Sequence, residues 1–326
     1  MGKRFKILMY EPMHQVGTNI LLEKCDLIYA ENLSEDYLVE ICRDVDGIII
    51  RANGKVTERI IESAENLKVI GRHGVGLEGI DLSAAARRNI PVVYTPGANA
   101  QSVAEHFVGL AIMLARKLRL ADRALRTGNW NARYELIGTE LAGKTLGILG
   151  FGNIGQATAR ICHKGLNMSV LYYDVISYPE AETDLNARRV EFDEVFKEAD
   201  LISINMPLLP STRGVVDKRA INLMKPTAFI INMARGPIWN ELELYRALKE
   251  KKIAGAGSDV YEIEPVPKNH PLFELDNFVG TPHMSAHTEE AMIRMSLVAK
   301  DVLRVLEGQT PENVVSVSSC QQQVQS

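Results

Sequence analysis

The sequence lacks closely spaced cysteines and long apolar runs, the marks of a disulfide-bonded, metal-binding or membrane protein. Its four cysteines form no C-x-x-C pair and no metal-ligand spacing, so we expect reduced thiols. The longest apolar run is too short to cross a bilayer, which takes about 20 residues. The cysteines are Cys25, Cys42, Cys162 and Cys320. The apolar run is Phe107–Ala115, and Arg116 ends it.

Charge of one sign is also missing. The 37 Lys and Arg residues nearly balance the 41 Asp and Glu residues, and no basic run is dense enough to follow a track of phosphates. Nucleic acid and membrane are therefore excluded as partners, and a cytoplasmic protein is expected. At 326 residues the chain exceeds the roughly 250–300 residues at which one core stops growing, so two domains are the default.

Strand-like and helical segments alternate in two series, which predicts an α/β fold with two doubly wound parallel sheets. A long helix with Ser102 as N-cap is expected to run to about Arg126 and to bridge the domains. A last helix, from Glu289 to about Glu307, is expected to return to the first domain. The predicted strands are Lys6–Tyr10, Gly47–Arg51, Lys68–Gly71, Pro91–Thr95, Thr145–Leu149, Ser169–Tyr173, Leu201–Asn205, Ala228–Asn232 and Ile253–Ser258.

A glycine motif follows the apolar strand Thr145–Leu149 and opens a helical segment. In the run Gly150–Gly155, the first glycine permits a tight turn, Gly152 lets the backbone approach a pyrophosphate, and Gly155 allows close packing of helix on strand. The phosphates would meet the positive end of the helix dipole. Gly150, Gly152, Asn153, Ile154 and Gly155 are therefore candidate cofactor-binding residues.

The acid at the end of the next strand selects the cofactor. Asp174 lies 19 residues after Gly155, the separation at which a carboxylate reaches the adenosine ribose hydroxyls. Its charge would repel a 2′-phosphate, and no arginine stands in the three residues that follow it. NAD is therefore favoured over NADP.

Polar side chains gather in three later segments, Ile231–Gly236, Gly257–Pro265 and Thr281–His287. The carboxyl ends of parallel strands are where ligands bind in such sheets. Hydride transfer to a 2-oxo acid needs a cation for the substrate, an acid for its oxygen, and a group that holds the acid in its charged form. Arginine, histidine and glutamate in these segments could supply the three.

With these motifs the sequence resembles the D-isomer-specific 2-hydroxyacid dehydrogenases, similar to phosphoglycerate dehydrogenase and hydroxypyruvate reductase. The resemblance covers nearly the whole chain and implies Rossmann-like domains with a deep cleft between them. It implies a cofactor domain over residues 99–287 and a substrate domain over residues 1–98 plus 288–326. It also implies a homodimer and a small 2-hydroxy or 2-oxo acid as substrate, for example 3-phosphoglycerate, hydroxypyruvate or glyoxylate.

The family resemblance implies a role for each matching residue. His283 would be the acid in reduction and the base in oxidation, Glu264 would hydrogen-bond it and favour its protonated form, and Arg235 would bind and polarise the substrate. Asp259 would take the nicotinamide carboxamide. The other cofactor-binding candidates are Val103, Pro207, Thr212 and Met233, and the other substrate-binding candidates are Arg51, Arg72, Val75, Gly76 and Asn99.

Plainer interpretations remain open at this stage. Arg235 could form a surface ion pair, Glu264 could be a turn carboxylate, and His283 could be a core histidine. A metal pair of His283 and His287 is disfavoured because no H-E-x-x-H pattern is present. The roles of His73, Trp239 and His287 stay unassigned.

Alternative functions exist within the same fold. A formate or phosphite dehydrogenase is one, although formate oxidation needs no proton relay. A corepressor that senses NAD and binds peptides is another, from a class that is not primarily catalytic. Turnover of 2-oxo acids would separate an enzyme from a corepressor.

Overall fold

The computed structural model describes residues 4–315, which divide into two compact units. The terminal unit consists of the residues up to Asn99 together with those from His287 onward, and the central unit is Ala100–Ala286. Each unit is a parallel sheet with flanking helices, so the predicted fold class is confirmed. None of the helices within residues 4–315 is long and apolar enough to cross a membrane.

The terminal unit is built on a five-stranded sheet in the order β2-β1-β3-β4-β5, as far as the structure describes it. All of its strand pairs are parallel. Side chains cap several of its helices, for example Thr57, which accepts from the Ile60 N–H. The first elements are β1 (Phe5–Met9), α1 (Gln15–Leu22), β2 (Cys25–Tyr29), α2 (Glu35–Ile41), β3 (Gly47–Ile50), α3 (Glu58–Ser63), β4 (Val69–Arg72), α4 (Leu82–Arg87) and β5 (Val92–Val93).

The central unit contains a seven-stranded sheet in the order β12-β11-β10-β9-β6-β7-β8 within the described part of the chain. Its elements are α5 (Ala100–Ala115), α6 (Leu118–Arg126), β6 (Thr145–Leu149), α7 (Asn153–Leu166), β7 (Ser169–Tyr173), α8 (Pro179–Leu185), β8 (Ala187–Arg189), α9 (Phe192–Glu198), β9 (Leu201–Ile204), α10 (Lys218–Asn222), β10 (Phe229–Asn232), α11 (Glu241–Lys249), β11 (Gly255–Ser258) and β12 (Phe278–Gly280). Short 3-10 turns lie at Trp130–Tyr134, Gly236–Ile238 and Pro271–Glu274.

Two final helices complete the terminal unit. They are α12 (Glu289–Ser296) and α13 (Val298–Leu306). Val298 and Val302 of α13 are buried in the same apolar cluster as Ile7 of β1 and Ile49 of β3. The C-terminal helices therefore cover a face of the sheet formed by the first part of the chain.

The long helix predicted from Ser102 to Arg126 is in fact two helices. It begins at Ala100, so Ser102 lies inside the first turn and is not the N-cap. It breaks at Lys117, whose φ of 53° is left-handed. The Ala115 carbonyl accepts from the Thr139 N–H at 2.8 Å. A later segment of the chain therefore bonds a carbonyl group at the end of this helix. The predicted last helix is likewise divided at Leu297.

Candidate active site

The glycine loop lies at the point in the central sheet where the strand order reverses. β6 pairs with β7 on one side and with β9 on the other, which is the arrangement that opens a crevice at the strand ends. Gly150 has a φ of 90°, and a Cβ there would lie 2.8 Å from the Met206 nitrogen. A Cβ on Gly152 would meet nothing within 4 Å, so the backbone is open on that side. The loop can therefore admit a pyrophosphate.

The helix that follows the loop presents its N-terminus to the same place. Asn153 and Ile154 open α7, and no side chain caps it. A Cβ on Gly155 would lie 2.3 Å from the Gly150 carbonyl oxygen, so only glycine allows this close packing of helix on turn. The first N–H groups of α7 are thus oriented to meet an anion.

Asp174 is fixed beside the glycine loop. Its Oδ2 accepts from the Phe151 N–H at 2.7 Å and its Oδ1 accepts from the Ile176 N–H at 3.2 Å. Arg189 of β8 donates to the Asp174 carbonyl at 2.9 Å and to the Val175 carbonyl at 3.2 Å. This neighbouring cation was not predicted, because only the three residues directly after Asp174 were considered.

His283 and Glu264 form the central polar contact of the site. The His283 Nδ1 lies 2.7 Å from the Glu264 Oε2, and the Glu264 Oε1 accepts from the Tyr261 N–H at 2.9 Å. Burial raises the pKa of the Glu264 carboxyl, but these hydrogen bonds and the charges of His283 and Arg235 outweigh it and leave that pKa below its usual value. Both side chains remain partly exposed, at 48% and 37%. They are therefore accessible to a ligand.

Arg235 is the third residue after β10, and it lies close enough to Glu264 for its charge to act on that carboxyl. Its Nη1 donates to the Ala234 carbonyl at 2.7 Å, and its own carbonyl accepts from the Asn232 side chain at 2.9 Å. A Cβ on Gly236 would lie only 1.9 Å from the Tyr261 carbonyl carbon. The strand end that carries Arg235 therefore packs directly on the turn that carries Glu264, and the structure brings the predicted triad together.

A second pair of a glutamate and a histidine, Glu241 and His270, holds the same turn and was not predicted from the sequence. The Glu241 Oε1 accepts from the Glu262 N–H at 2.9 Å, and its Oε2 lies 3.0 Å from the His270 Nε2. The side chains of Glu241 and His270 are only 12% and 13% exposed. This pair therefore holds the turn at the Glu262 N–H.

Asp259 lies beneath the loop that carries His283. It is fully buried and accepts from the Thr281 hydroxyl at 2.6 Å, the Met284 N–H at 2.9 Å and the Ser285 N–H at 2.8 Å. The Thr281 hydroxyl also lies 2.9 Å from the Nε2 of His106, a residue of α5 that sequence reasoning did not single out. The contact of Asp259 with a carboxamide stays a prediction.

The remaining cofactor candidates are placed as follows. Thr212 donates to the Pro207 carbonyl at 2.6 Å and accepts from the Leu209 N–H at 2.8 Å, which closes a turn after β9. Met233 follows β10 and is buried. Val103 is buried in α5 and belongs to the same apolar cluster as Met233.

The arginines considered for substrate binding lie at strand ends of the terminal unit. Arg72 is the last residue of β4 and is half-buried. Arg51 follows β3 and donates to the Pro12 carbonyl at 3.0 Å. Asp81, farther along the same unit, caps α4 by accepting from the Ala84 N–H at 2.8 Å.

The loop after β4 begins with a buried histidine. Burial first, and the positive charge of Arg51 second, lower the pKa of His73 to about 4, so its ring is neutral at pH 7. Val75 and Gly76 follow in the loop and are half-buried. Asn99 is also buried, and its Oδ1 has no hydrogen-bond partner among the described residues.

Trp239 and the candidate metal pair also have defined positions. Trp239 is 2% exposed and packs in the apolar core of the central unit. Among residues 4–315, no group of three His, Cys, Asp or Glu side chains is arranged to hold a metal ion.

Comparison with known proteins identifies the family. Residues 108–285 match the model for the NAD binding domain of D-isomer specific 2-hydroxyacid dehydrogenases. The chain belongs to this family, which confirms both the resemblance and NAD as the cofactor.

Two curated relatives and one solved structure show how far the similarity extends. The D-3-phosphoglycerate dehydrogenase of Methanocaldococcus jannaschii is 42% identical over 98% of this chain, which spans 60% of that protein's length. The glyoxylate reductase of Thermofilum pendens is 37% identical over 96% of this chain and 95% of its own. The NAD complex of formate dehydrogenase from Staphylococcus aureus superposes with a TM-score of 0.83 at 32% identity, covering 96% of this chain and 99% of its own.

Proposed function

We propose that the chain is an NAD-dependent dehydrogenase that moves a hydride between the nicotinamide and C2 of a small D-2-hydroxy or 2-oxo acid. The observation that carries this proposal is the 2.7 Å contact between His283 and Glu264, next to Arg235. A histidine held by a carboxylate is suited to proton transfer, and a neighbouring guanidinium is suited to binding a carboxylate.

The residues divide the chemistry of reduction between them. Because the Nδ1 of His283 faces Glu264, its Nε2 is the atom left to protonate the substrate oxygen as the alkoxide develops. The cofactor, when bound, would supply the hydride for the new C–H bond at C2. Arg235 binds the substrate carboxylate and polarises the carbonyl. In oxidation His283 accepts the proton of the 2-hydroxyl.

The cofactor domain is assigned to residues 99–287, the central unit with one more residue at each end. The glycine loop Gly150–Gly155 and the N-terminus of α7 would hold the pyrophosphate, and Asp174 the adenosine ribose. Pro207, Thr212, Met233 and Val103 would line the nicotinamide end, and Asp259 would take the nicotinamide carboxamide. The match of residues 108–285 to an NAD binding domain supports this assignment.

The substrate domain is assigned to residues 1–98 with 288–326, one residue short of the terminal unit at each boundary. The loop with Val75 and Gly76 would bind the acid's carboxylate together with Asn99. Arg51 and Arg72 would favour a short acid with a second anionic or hydroxylated group. Relatives named D-3-phosphoglycerate dehydrogenase, glyoxylate reductase and hydroxypyruvate reductase support such a substrate.

Formate dehydrogenase chemistry fits the site less well, although one solved structure of that name is similar. Oxidation of formate to carbon dioxide releases a hydride and no proton from oxygen. The contact between His283 and Glu264 would then have no proton to transfer. The 2-hydroxyacid reaction uses both residues.

Assembly and location complete the proposal. We expect a homodimer, because the segment after α6 presents large side chains at its surface: Trp130, Tyr134 and Ile137 are 64%, 66% and 75% exposed. We place the protein in the cytoplasm, where thiols stay reduced, and the described cysteines are free.

The experiment that tests the function is NADH consumption with a panel of 2-oxo acids. We expect turnover with hydroxypyruvate, glyoxylate or phosphohydroxypyruvate, and loss of most of it in Arg235→Lys, because a point charge cannot replace a planar fork. Arg246→Lys is the matched control, since Arg246 pairs with Glu243 on α11. Absence of turnover across the panel would favour a corepressor-like binding protein.

A further inference from the structure

His283 has a backbone conformation that its residue type rarely adopts. Its φ is 50°, in the left-handed region that favours glycine. A non-glycine residue stays in such a conformation only when its surroundings fix it. The position of the imidazole therefore depends on the contacts of the residues around it.

A buried carboxylate supplies those contacts. Asp259 accepts hydrogen bonds from Thr281, two residues before His283, and from the N–H groups of Met284 and Ser285, directly after it. Asp259 is 0% exposed, so water does not compete for these bonds. The loop Thr281–Ser285 is thus clamped on both sides of His283.

His106 extends the clamp to another helix. The Thr281 hydroxyl has one hydrogen, and the 2.6 Å bond to the Asp259 carboxylate uses it. That hydroxyl must then accept at its other contact, the His106 Nε2 at 2.9 Å. The hydrogen bonds therefore run in one direction, from His106 through Thr281 to Asp259. His106 can donate from Nε2 in either its neutral or its protonated form.

The geometry points to His106 as a positioning residue for His283. Acting through Thr281 and Asp259, it holds the Thr281–Ser285 loop in the conformation that keeps the His283 Nδ1 on Glu264. This inference rests on the proposed function, in which His283 is the proton donor. It assigns to α5 a role in aligning the acid.

Four variants test the chain of contacts by steady-state kinetics. Thr281→Val removes the hydroxyl at nearly constant volume, and His106→Phe removes the donor but keeps an aromatic ring. Thr281→Ser and His106→Gln keep the hydroxyl and the donor. Loss of one buried hydrogen bond corresponds to roughly tenfold in rate, so each of the first pair should lower kcat for hydroxypyruvate about tenfold. The KM for NADH should not change. The conservative pair should stay within about threefold of wild type.

The double variant distinguishes a chain from two separate effects. If His106 acts through Thr281, the His106→Phe/Thr281→Val enzyme is no slower than Thr281→Val alone. His163→Phe is the matched control, since His163 bonds the Met168 carbonyl at the end of α7. Multiplied losses in the double variant, or a normal kcat in His106→Phe, would overturn the inference.

A spectroscopic measurement separates this inference from the proposed function. In protein labelled with ¹⁵N-histidine, assigned with His283→Gln, the His283 Nδ1 proton should be strongly deshielded by its bond to Glu264. The signal should persist in Thr281→Ser and weaken in Thr281→Val and His106→Phe. An unchanged signal in the latter two refutes the positioning role. An active-site signal that responds as expected in a protein inactive on all 2-oxo acids refutes only the proposed function.

Discussion

Two strand-end regions of the molecule are held in different ways. In the central unit, acidic side chains hold two turns by hydrogen bonds. Glu241 accepts from the Glu262 N–H in the turn that carries Glu264. Asp259 accepts from the Met284 and Ser285 N–H groups in the loop that carries His283. In the terminal unit, the loop Arg72–Gly79 contains three glycines. Its ends are held by backbone hydrogen bonds. The Thr95 N–H donates to the Gly74 carbonyl, and the Val56 N–H donates to the Gly79 carbonyl.

This difference matches the tasks proposed for the two regions. A proton donor must be placed to within a fraction of an ångström, and fixed hydrogen bonds achieve that before substrate arrives. A loop that binds a carboxylate needs backbone N–H groups that an anion can approach, and glycine allows that approach. Substitutions in the turns that carry Glu264 and His283 should therefore alter the chemical step, and those in the loop of the terminal unit should alter the choice of substrate.

His283→Ala should give the largest effect. General acid catalysis contributes roughly 10²–10⁴-fold, so kcat for 2-oxo acid reduction should fall by that order. NADH affinity, measured by fluorescence titration, should stay unchanged. His163→Ala is the control. Near-normal turnover of His283→Ala would remove this residue from the mechanism.

Glu264→Gln should show an effect that depends on pH. The pKa of the Glu264 carboxyl lies below its usual value, with burial opposing and the contact with His283 favouring its charged form. The carboxylate is therefore charged at neutral pH, where it holds the His283 imidazole through the 2.7 Å contact. In the variant this charge is gone, so kcat/KM should be reduced at neutral pH, and the difference from wild type should shrink as the pH falls through the lowered pKa of Glu264. A difference that is the same at every pH would mean that Glu264 only shapes the turn.

Arg72→Ala should change selectivity. A charged contact desolvated around the substrate is worth about 1.5–3 kcal/mol, so kcat/KM for phosphohydroxypyruvate should drop roughly 10–100-fold while that for pyruvate is spared. Arg51→Ala is the parallel variant. Equal losses on both substrates would show that Arg72 holds the loop and does not read the substrate.

Asp174→Ala should have the smallest effect, confined to the cofactor. The wild type should bind NADH at least about tenfold more tightly than NADPH, because the carboxylate opposes a 2′-phosphate. The variant should lose that preference, since Arg189 donates to the Asp174 carbonyl and leaves a cation nearby. Equal affinities already in the wild type would contradict the role of Asp174.

Much of the central unit follows from its sequence because its signals are local. The strand Thr145–Leu149 has the bounds that its apolar run predicted, and the polar strand ends Arg235, Glu264 and His283 meet as parallel-strand geometry requires. The strand β2 went unpredicted, since its polar and apolar residues lie in an otherwise helical stretch.

The supporting residues could not be predicted, because each acts across a long separation in the chain. His106 contacts Thr281 across 175 residues, and Glu241 contacts His270 across 29. No spacing or periodicity marks such pairs in one sequence. The break at Lys117 has the same origin, since its cause is the return of Thr139 to the end of α5.

The destination of the hydride shows whether the chain carries out the proposed reaction. Hydroxypyruvate should be reduced with NADH that carries deuterium at both positions of nicotinamide C4, and the glycerate examined by NMR and chiral separation. The wild type should give D-glycerate with deuterium at C2, and His283→Ala should give almost no glycerate. L-glycerate, or product without deuterium at C2, would contradict the proposed reaction.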